Sequence, residues 1–330
     1  MTDSIGQAVD ALMNDYPFIR ELKSPVGRDQ LRPLDPRCNV VQFGSPLSQA
    51  DIERVSEFLR GYPEIPLRIY GHYSGAEDLS FLKYFTFLKG FQADVFEIKS
   101  WNGLEYLPDS IEFLAFGSTR RKFSVAFLER FRNLKDLYLD GHLKDINVLS
   151  TLKSLEFLTL RSITLPDLSP IVPLKQLKGL ALKLGGTKEL GMLGELLSLR
   201  YLELWMIRGL TDLTAISSLS ELRYVFLQTL KNVAALPSFA NLSRLERVYI
   251  EDLKELKDLS PVAEAPNLQE LALASMRHLS LDDLSCFVNH PSLKAAGIGL
   301  CSVRRNAQAR ELLGLPEITF PKPLAEYLKD

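Results

Sequence analysis

Nucleophiles, general bases and metal ligands are few in this chain, and no spacing brings them together. The four histidines are scattered along it: His72, His142, His278 and His290. The HExxH spacing, which places two zinc-binding histidines on one helix face, does not occur. The glycine-rich loops that hold phosphates do not occur either. These absences predict that the chain has no catalytic residues, no metal site and no cofactor, and that it is not an enzyme.

The cysteines lead to a similar expectation. There are three of them, Cys38, Cys286 and Cys301, and none forms a CxxC motif. An odd, sparse set excludes a disulfide framework or a zinc knuckle and is typical of a reducing compartment. The N-terminal segment lacks the apolar stretch of a secretory signal, and no run of about 20 apolar residues could span a membrane. We therefore expect a cytoplasmic protein.

Acidic residues recur at one position of a repeating unit, which invites a catalytic interpretation. They are Asp78, Asp145, Asp167, Glu189, Asp212, Asp258 and Asp283. Each precedes a short apolar segment, where a carboxylate can accept hydrogen bonds from free backbone N–H groups. Because the residues recur once per repeat, we favour this capping role over catalysis.

The charge balance also limits the kind of partner. Lys and Arg together number 39 and Asp and Glu 41, for a net charge of −2 over 330 residues. A chain that binds nucleic acid or an anionic membrane usually carries a basic surface, which this composition does not provide. We expect a protein partner, no nucleic acid and no membrane.

The strongest pattern is a repeat of the form Leu-x-x-Leu-x-Leu. Seven strong copies occur, at 134–139, 155–160, 177–182, 199–204, 222–227, 245–250 and 268–273. Weaker copies begin at Leu88, Ile111 and Leu293, and two degenerate strands are expected near Val41 and Leu67. The copies follow one another at roughly 23 residues, a period typical of stacked repeats. Alternation at the last three positions predicts a strand in each copy, with its leucines pointing to one side.

The chain resembles the leucine-rich-repeat proteins of the short, internalin-like class, most clearly at 211–225 and 257–271. The resemblance covers about residues 65–300, suggests a bacterial protein and implies a partner-binding scaffold. It implies an α/β leucine-rich-repeat solenoid that is right-handed and curved, with a parallel β-sheet on the concave face. Apolar residues with period three between the strands predict a 3₁₀ or irregular convex face. Many family members carry an asparagine ladder after the strand, and this chain has none.

Both ends are expected to cap the stack, because terminal repeats would otherwise expose apolar faces. We predict an N-terminal cap over 1–64, repeats over 65–300, and a helical cap and tail over 301–330. Within the first cap, helices are expected at 4–16 and from Ser48 to about Arg60, with a loop over 19–39. Ser48 resembles a helix N-cap, and Asp51 follows it with capping-box spacing.

The candidate binding site lies at the positions between the strand leucines, which should face the concave side. Aromatic residues collect there on three neighbouring strands, with charges of both signs among them. The predicted partner-binding residues are Tyr201, Glu203, Trp205, Tyr224, Phe226, Arg247, Tyr249 and Glu251, with a smaller candidate at Tyr138 and Phe157. Exposed aromatic side chains on a rigid sheet are typical of protein-binding hot spots.

Two alternatives stay open for this aromatic patch. The rings could simply cover one another by cross-strand packing. They could also stack against sugar rings, with Glu203, Arg247 and Glu251 bonding the hydroxyl groups, which would make the chain a carbohydrate-binding scaffold. Because the charge is mixed and the location is expected to be cytoplasmic, we favour a protein partner.

Overall fold

The structure is a computed structural model, and it describes residues 18–71 and 79–318 of the chain. The chain forms two compact units, Met1–Ile146 and Asn147–Asp330, and each is described by itself. The expected helix at 4–16, together with His72, Asp78 and the tail beyond 318, lies outside the described residues. No helix in the described part is long and apolar enough to cross a membrane.

In its described residues, the first unit contains six parallel strands that pair in chain order. They are β1 (Ile19–Glu21), β2 (Val40–Phe43), β3 (Leu67–Gly71), β4 (Gly90–Val95), β5 (Phe113–Phe116) and β6 (Asp136–Asp140). Helix α1 spans Gln49–Leu59, and 3₁₀ helices follow at Ser80–Tyr84, Asn102–Tyr106 and Ala126–Arg130. Each repeat therefore joins one strand to a short helical turn.

As far as residue 318, the second unit contains seven parallel strands, again paired in chain order. They are β7 (Phe157–Arg161), β8 (Gly179–Lys183), β9 (Tyr201–Trp205), β10 (Tyr224–Gln228), β11 (Arg247–Glu251), β12 (Glu270–Ala274) and β13 (Ala295–Ile298). Its helices are α2 (Ser260–Ala263) and α3 (Val303–Leu313), with 3₁₀ helices at Gly191–Glu195, Thr214–Ser218 and Asp282–Phe287. One more 3₁₀ helix, Ile146–Thr151, contains the boundary between the units.

The repeat leucines form the core of each unit. In β9, for example, Leu202 and Leu204 are fully buried, and the in-register neighbour of Leu202 on β10 is the equally buried Val225. The period-three residues of the connecting segments, such as Ile216 and Leu219, face the same core from the opposite side. Burying apolar surface between these two layers is what holds each repeat against the next. The predicted leucine-rich-repeat solenoid fold, with its parallel sheet and 3₁₀ layer, is confirmed.

Three of the recurring acidic residues cap the turns that follow them. The Asp167, Asp212 and Asp258 carboxylates each accept a hydrogen bond from the backbone N–H two residues later, at 2.8, 2.8 and 2.9 Å. Hydrogen bonds lower the pKa of all three carboxyl groups. For Asp167 the Ser169 side chain contributes most and the backbone bond less, whereas for Asp212 and Asp258 the backbone bond contributes most, followed by the side chains of Thr214 and Ser260. Capping thus accounts for these three residues. Asp145 instead accepts from the Ser124 hydroxyl, and Asp283 accepts from the Ser280 N–H, three residues before it.

The corner after each strand is built without an asparagine ladder. The first residue past β8, β9 and β10 has a left-handed backbone: Leu184, Met206 and Thr229 have φ of 56°, 55° and 50°. In this conformation the Leu184 N–H donates to the Trp205 carbonyl and the Met206 N–H to the Gln228 carbonyl, both at 2.8 Å. The backbone itself thus supplies bonds at the corner, and the usual ladder position is filled by buried apolar residues such as Ile207 and Leu230.

The caps differ from expectation in one respect. Residues 19–39 were expected to form a loop. Instead, Ile19–Glu21 pairs in parallel with β2 along its outer edge, and three residues are enough to cover that edge of the sheet. The Ser48 N-cap is confirmed, and its side chain accepts from the Asp51 N–H. The Asp51 carboxylate also accepts from the Val26 N–H at 2.9 Å, which fastens the loop to α1. Helix α3 ends at Gly314, whose φ is 63°. The predicted domain boundaries stay a prediction.

Candidate functional site

Strand alternation in the second unit directs up to three side chains per strand away from the core, and parallel pairing aligns them into rows. We call this surface the outer face of the second unit. The first row is Phe157, Gly179, Tyr201, Tyr224, Arg247, Glu270 and Ala295; the second is Thr159, Ala181, Glu203, Phe226, Tyr249, Ala272 and Gly297; the third is Arg161, Lys183, Trp205, Gln228, Glu251 and Ala274. Rows of this kind place side chains about 4.8 Å apart.

The first row is a continuous line of rings that ends in an ion pair. Phe157 and Tyr201 stack with centroids 5.9 Å apart and planes at 22°, although a strand lies between them. The stack is possible because that strand carries Gly179, where a Cβ would lie only 2.2 Å from the Phe157 ring. Tyr201 then meets Tyr224 edge-on at 5.1 Å.

Arg247 follows the rings in the first row. Its guanidinium lies 5.2 Å from the centre of the Tyr224 ring, and its Nη1 donates to Glu270 Oε2 at 2.5 Å. A cation over a ring and beside a carboxylate satisfies both neighbours at once. The arginine is only 4% exposed, so it holds the row together from within.

The second and third rows are tied to the first by tyrosine hydroxyls and a lysine. The Tyr201 hydroxyl donates to Glu203 Oε2 at 2.8 Å, and Lys183 Nζ lies 2.8 Å from the same oxygen. Lys183 also lies 5.9 Å from the centre of the Trp205 ring. Because one carboxylate joins an aromatic hydroxyl to a cation, these side chains cannot reorient independently.

Phe226 and Tyr249 form the tightest aromatic pair of this face. Their centroids are 4.5 Å apart and their planes differ by 8°. The Tyr249 hydroxyl donates to Glu251 Oε2 at 3.0 Å, and Gln228 Nε2 donates to the same oxygen at 2.9 Å. Partial burial raises the pKa of Tyr249 to about 12, with help from the Glu251 carboxylate.

The burial of the predicted site residues corrects one expectation. Tyr201, Glu203 and Arg247 were expected to be exposed, but they are 6, 8 and 4% exposed because neighbouring side chains pack over them. Burial also raises the pKa of Tyr201 well above its usual value. The side chains left half-buried, and so partly open to a partner, are Trp205, Tyr224, Phe226, Tyr249 and Glu251.

The smaller candidate is divided between the two units. Tyr138 is half-buried on β6 of the first unit, whereas Phe157 lies on β7 of the second. Within its own unit, Phe157 joins the aromatic row through its stack on Tyr201. The structure therefore adds Phe157 to the main patch.

Sequence reasoning gave too little weight to Gly179 and Met206. A glycine inside a strand signals the close approach of another group, and at Gly179 that group is the Phe157 ring. Met206 follows Trp205, and its left-handed backbone turns the side chain outward, where it is 40% exposed. No sequence signal marks that corner, because its backbone conformation recurs with Leu, Met, Thr, Asp and Ser alike.

The described histidines bond to backbone carbonyls. The Nε2 atoms of His142, His278 and His290 lie 3.1, 2.7 and 3.0 Å from the carbonyl oxygens of Gly117, Leu256 and Ala263. Cys38, Cys286 and Cys301 are free thiols. Within residues 18–71 and 79–318, no group of three or more metal-ligating side chains comes together.

Comparison with known proteins identifies the fold and goes no further. No protein-family model and no curated protein matches the sequence. Among solved structures, an internalin (InlF) of Listeria monocytogenes superposes with a TM-score of 0.54 at 17% identity, covering 83% of this chain and 95% of that one.

Two further structures are similar. TLR13 in its complex with ssRNA13 gives a TM-score of 0.51 at 16% identity, over 80% of this chain and 47% of that one. A leucine-rich-repeat protein of Leptospira interrogans gives 0.49 at 17% identity, over 86% of this chain and 78% of that one. The internalin superposition shows the fold alone, and that fold agrees with the leucine-rich-repeat architecture described above.

Proposed function

We propose that this chain is a non-enzymatic scaffold that binds a protein partner on the outer face of its second unit. The observation that carries the proposal is the connected set of rings from Phe157 to Tyr249, braced by ion pairs with Lys183 and Arg247. A partner would contact the half-buried members, Trp205, Tyr224, Phe226, Tyr249 and Glu251. Because packing already fixes these side chains, binding would order few of them further.

The packing alternative accounts for part of this surface, and the proposal accommodates it. The buried residues Tyr201, Glu203 and Arg247 support the half-buried ones from below, as the supporting groups of a hot spot do. Packing alone does not require aromatic residues on the outer side of a strand. In the first unit, Gln42, Arg68 and Asp94 form a polar set on the corresponding surface, which also carries Tyr70, Phe113 and Tyr138.

A protein partner fits the charge of the face better than RNA, which one structural neighbour binds according to its title. The outer face of the second unit carries three cations, Arg161, Lys183 and Arg247, and three carboxylates, Glu203, Glu251 and Glu270. RNA binding relies on an excess of positive charge along the phosphate backbone. The cytoplasmic location and bacterial origin predicted from the sequence belong to the same proposal.

The test is affinity capture from a lysate of the native source, followed by mass spectrometry. The site variant carries Trp205→Ala, Phe226→Ala and Tyr249→Ala, which removes half-buried rings without opening the buried Tyr201 or Arg247. The control is Tyr106→Ala, an aromatic residue 39% exposed on a 3₁₀ helix of the first unit. We expect one protein to be captured by wild type and by the control but lost, by at least about tenfold, with the site variant. Capture of the same protein by all three would place binding elsewhere.

Two further samples decide between partner classes. A panel of soluble glycans and a single-stranded RNA are each added to the purified chain, and the melting temperature is measured. A ligand that binds only the folded state raises that temperature. A glycan that does so in wild type but not in the site variant would replace the protein partner with the carbohydrate alternative.

A further inference from the structure

The aromatic surface of the second unit ends abruptly at Tyr249. One face of its ring is stacked on Phe226. On the other side, the in-register neighbour of Tyr249 is Ala272, and the next is Gly297. The neighbour of Glu251 is Ala274. A ring and a carboxylate therefore lie beside a surface of small residues. We call this surface the step; it consists of Tyr249, Glu251, Ala272, Ala274 and Gly297.

Glu251 differs from the other outer-face carboxylates of the second unit in having no cation beside it. Lys183 pairs with Glu203 at 2.8 Å, and Arg247 pairs with Glu270 at 2.5 Å. Among the described residues, no Lys, Arg or His lies within ion-pair distance of Glu251. Its hydrogen bonds from Gln228 and Tyr249 both end on Oε2, so Oε1 keeps its full capacity to accept.

The floor of the step is only partly open, since Ala272 is 9% exposed and Ala274 is half-buried. Beyond Tyr249 the small residues extend over two strands, about 10 Å at the usual strand spacing. At the far end, Ile318 Cδ1 lies 3.7 Å from where a Cβ of Gly297 would be, so the Ile318 side chain covers Gly297 and ends the floor there. The space thus offers apolar contact along its length, a ring face on one side and a carboxylate at one end.

From this geometry we infer that the step binds an arginine side chain presented by the protein partner, an inference that rests on the proposed function. The guanidinium lies with its plane against the face of the Tyr249 ring opposite Phe226 and donates to Glu251 Oε1, while its methylene groups cover Ala274. Arginine fits better than lysine because a planar cation can stack and donate at the same time. The two hydrogen bonds that Glu251 already accepts hold the carboxylate in place for this contact.

The probe for this inference is N-acetyl-arginine amide, and the matched control is N-acetyl-citrulline amide, which has the same shape without the charge. Each is titrated into the full chain labelled with ¹³C at its alanine methyl groups, so that Ala272 and Ala274 report from the floor of the step. We expect both methyl signals to shift with the arginine compound and to saturate with a Kd of about 1 mM, a plausible affinity for a single side chain. The citrulline compound should produce less than about a tenth of the shift at equal concentration.

Two variants test the role of the carboxylate. Glu251→Gln keeps the shape of the step and should weaken arginine binding at least about tenfold, because the charge-assisted hydrogen bond is lost. Glu255→Gln removes the same charge from an exposed position after β11 and should leave binding unchanged. Equal shifts with arginine and citrulline, or equal affinity in both variants, would overturn the inference. Arginine shifts that arise only in a variant ending at Ile318 would assign the step to residues 319–330 of this chain and overturn it as well.

Failure of this inference can be told apart from failure of the proposed function. If the partner is lost with the site variant but retained by Glu251→Gln, the scaffold stands and the arginine contact is wrong. If the chain instead self-associates through the step, sedimentation would show a dimer that dissociates on addition of N-acetyl-arginine amide, and the occupant would be a second copy. Loss of a captured partner with Glu251→Gln, together with arginine-dependent shifts, supports both proposals.

Discussion

The outer sheet faces of the two units share a backbone plan and differ in chemistry. In the first unit, Gln42 Nε2 donates to Glu21 Oε2 at 2.8 Å, and Arg68 donates to Gln42 Oε1 at 3.0 Å and to Asp94 Oδ2 at 2.7 Å. This polar ladder satisfies its own hydrogen bonds. In the second unit, rings stack where the ladder would be, and their hydroxyls and cations secure the edges.

The difference shows how the fold separates stability from recognition. Inward-facing residues are leucine-like in both units and are almost completely buried. Outward-facing residues contribute little to that core, so they can change from a mixed polar and aromatic set to one dominated by stacked rings without altering the strand register.

The largest effect on stability is expected from removing the arginine that forms an ion pair on each outer face. Arg247 is 4% exposed and its partner Glu270 25%, whereas Arg68 and Asp94 are 31% and 24% exposed. Removing one member of a buried ion pair leaves the other charge buried without a partner. This is far more destabilising than losing an exposed pair. Arg247→Ala should lower the free energy of unfolding by about 3 kcal/mol, and Arg68→Ala by about 1 kcal/mol.

Urea unfolding followed by far-ultraviolet circular dichroism measures both changes. Glu270→Gln serves as a second variant, because it keeps the shape of the pair and removes the charge that Arg247 neutralises. Similar decreases in the free energy of unfolding for Arg247→Ala and Arg68→Ala would mean that the two arginines are equally solvated. The two outer faces would then not differ in this respect.

An intermediate effect is expected from pH, and it should arise in the first unit. His142 is 1% exposed; its Nε2 donates to the Gly117 carbonyl at 3.1 Å, and its buried Nδ1 has no hydrogen-bond partner. The ring also lies edge-on to Trp101, with centroids 5.5 Å apart. Burial lowers the pKa of His142; the Gly117 bond and Asp140 oppose this shift, whereas Lys122 reinforces it.

The sign follows from which state binds the proton more tightly. The unfolded chain takes up the proton near the ordinary histidine pKa of about 6.5, and the folded chain does so only at lower pH. The contribution of His142 to the free energy of unfolding is therefore fully present above about pH 6.5. It falls as the pH drops below about 6.5, by at most about 1.4 kcal/mol per pH unit. His142→Gln keeps a donor near Gly117 and should abolish this dependence.

Asp136 makes a difference measurement necessary. Burial raises the pKa of its carboxyl to about 6, so its ionisation lowers stability as the pH rises through the range from 4 to 6. Both chains carry Asp136, and subtracting the unfolding free energies of wild type and His142→Gln at each pH removes its contribution. A constant difference between pH 4.5 and 7.5 would show that His142 does not titrate differently in the folded state.

Much of this architecture could be predicted from the sequence, because the information is periodic. Leu134, Leu155 and Leu177 each begin a strand repeat, and the structure places strands just after them. Ser48 predicts the start of α1 because serine is a preferred helix N-cap, and Gly314 predicts the end of α3. Both signals act over a few residues and need no tertiary information.

The details of the candidate site could not be predicted in the same way. Alternation places Tyr201, Glu203 and Arg247 on the outer face, but it does not show that neighbouring side chains would cover them. Their burial depends on side-chain reach across strands, such as the Phe157 ring crossing Gly179. Likewise, β1 is a three-residue strand, too short to show an alternating pattern of its own.

The smallest effect is expected at two glycines that occupy the same outer row in the two units. Gly179 lies beneath the Phe157 ring, where a Cβ would be 2.2 Å from Cδ2. Gly90 lies between Pro66 and Phe113, where the nearest atoms would be 3.0 and 3.2 Å away. Gly179→Ala must push the Phe157 ring off Tyr201, whereas Gly90→Ala requires a shift of only a few tenths of an ångström.

We expect Gly179→Ala to lower the free energy of unfolding by about 1 kcal/mol, the value of one aromatic stack. For Gly90→Ala, the gain from restricting the unfolded chain offsets the slight crowding, and the change should stay within about 0.5 kcal/mol. Phe157→Leu in the Gly179→Ala background sharpens the comparison, since it relieves the clash and should recover part of the loss. If that double variant is as unstable as Gly179→Ala alone, the glycine is needed by the backbone of β8 and not by the Phe157 ring.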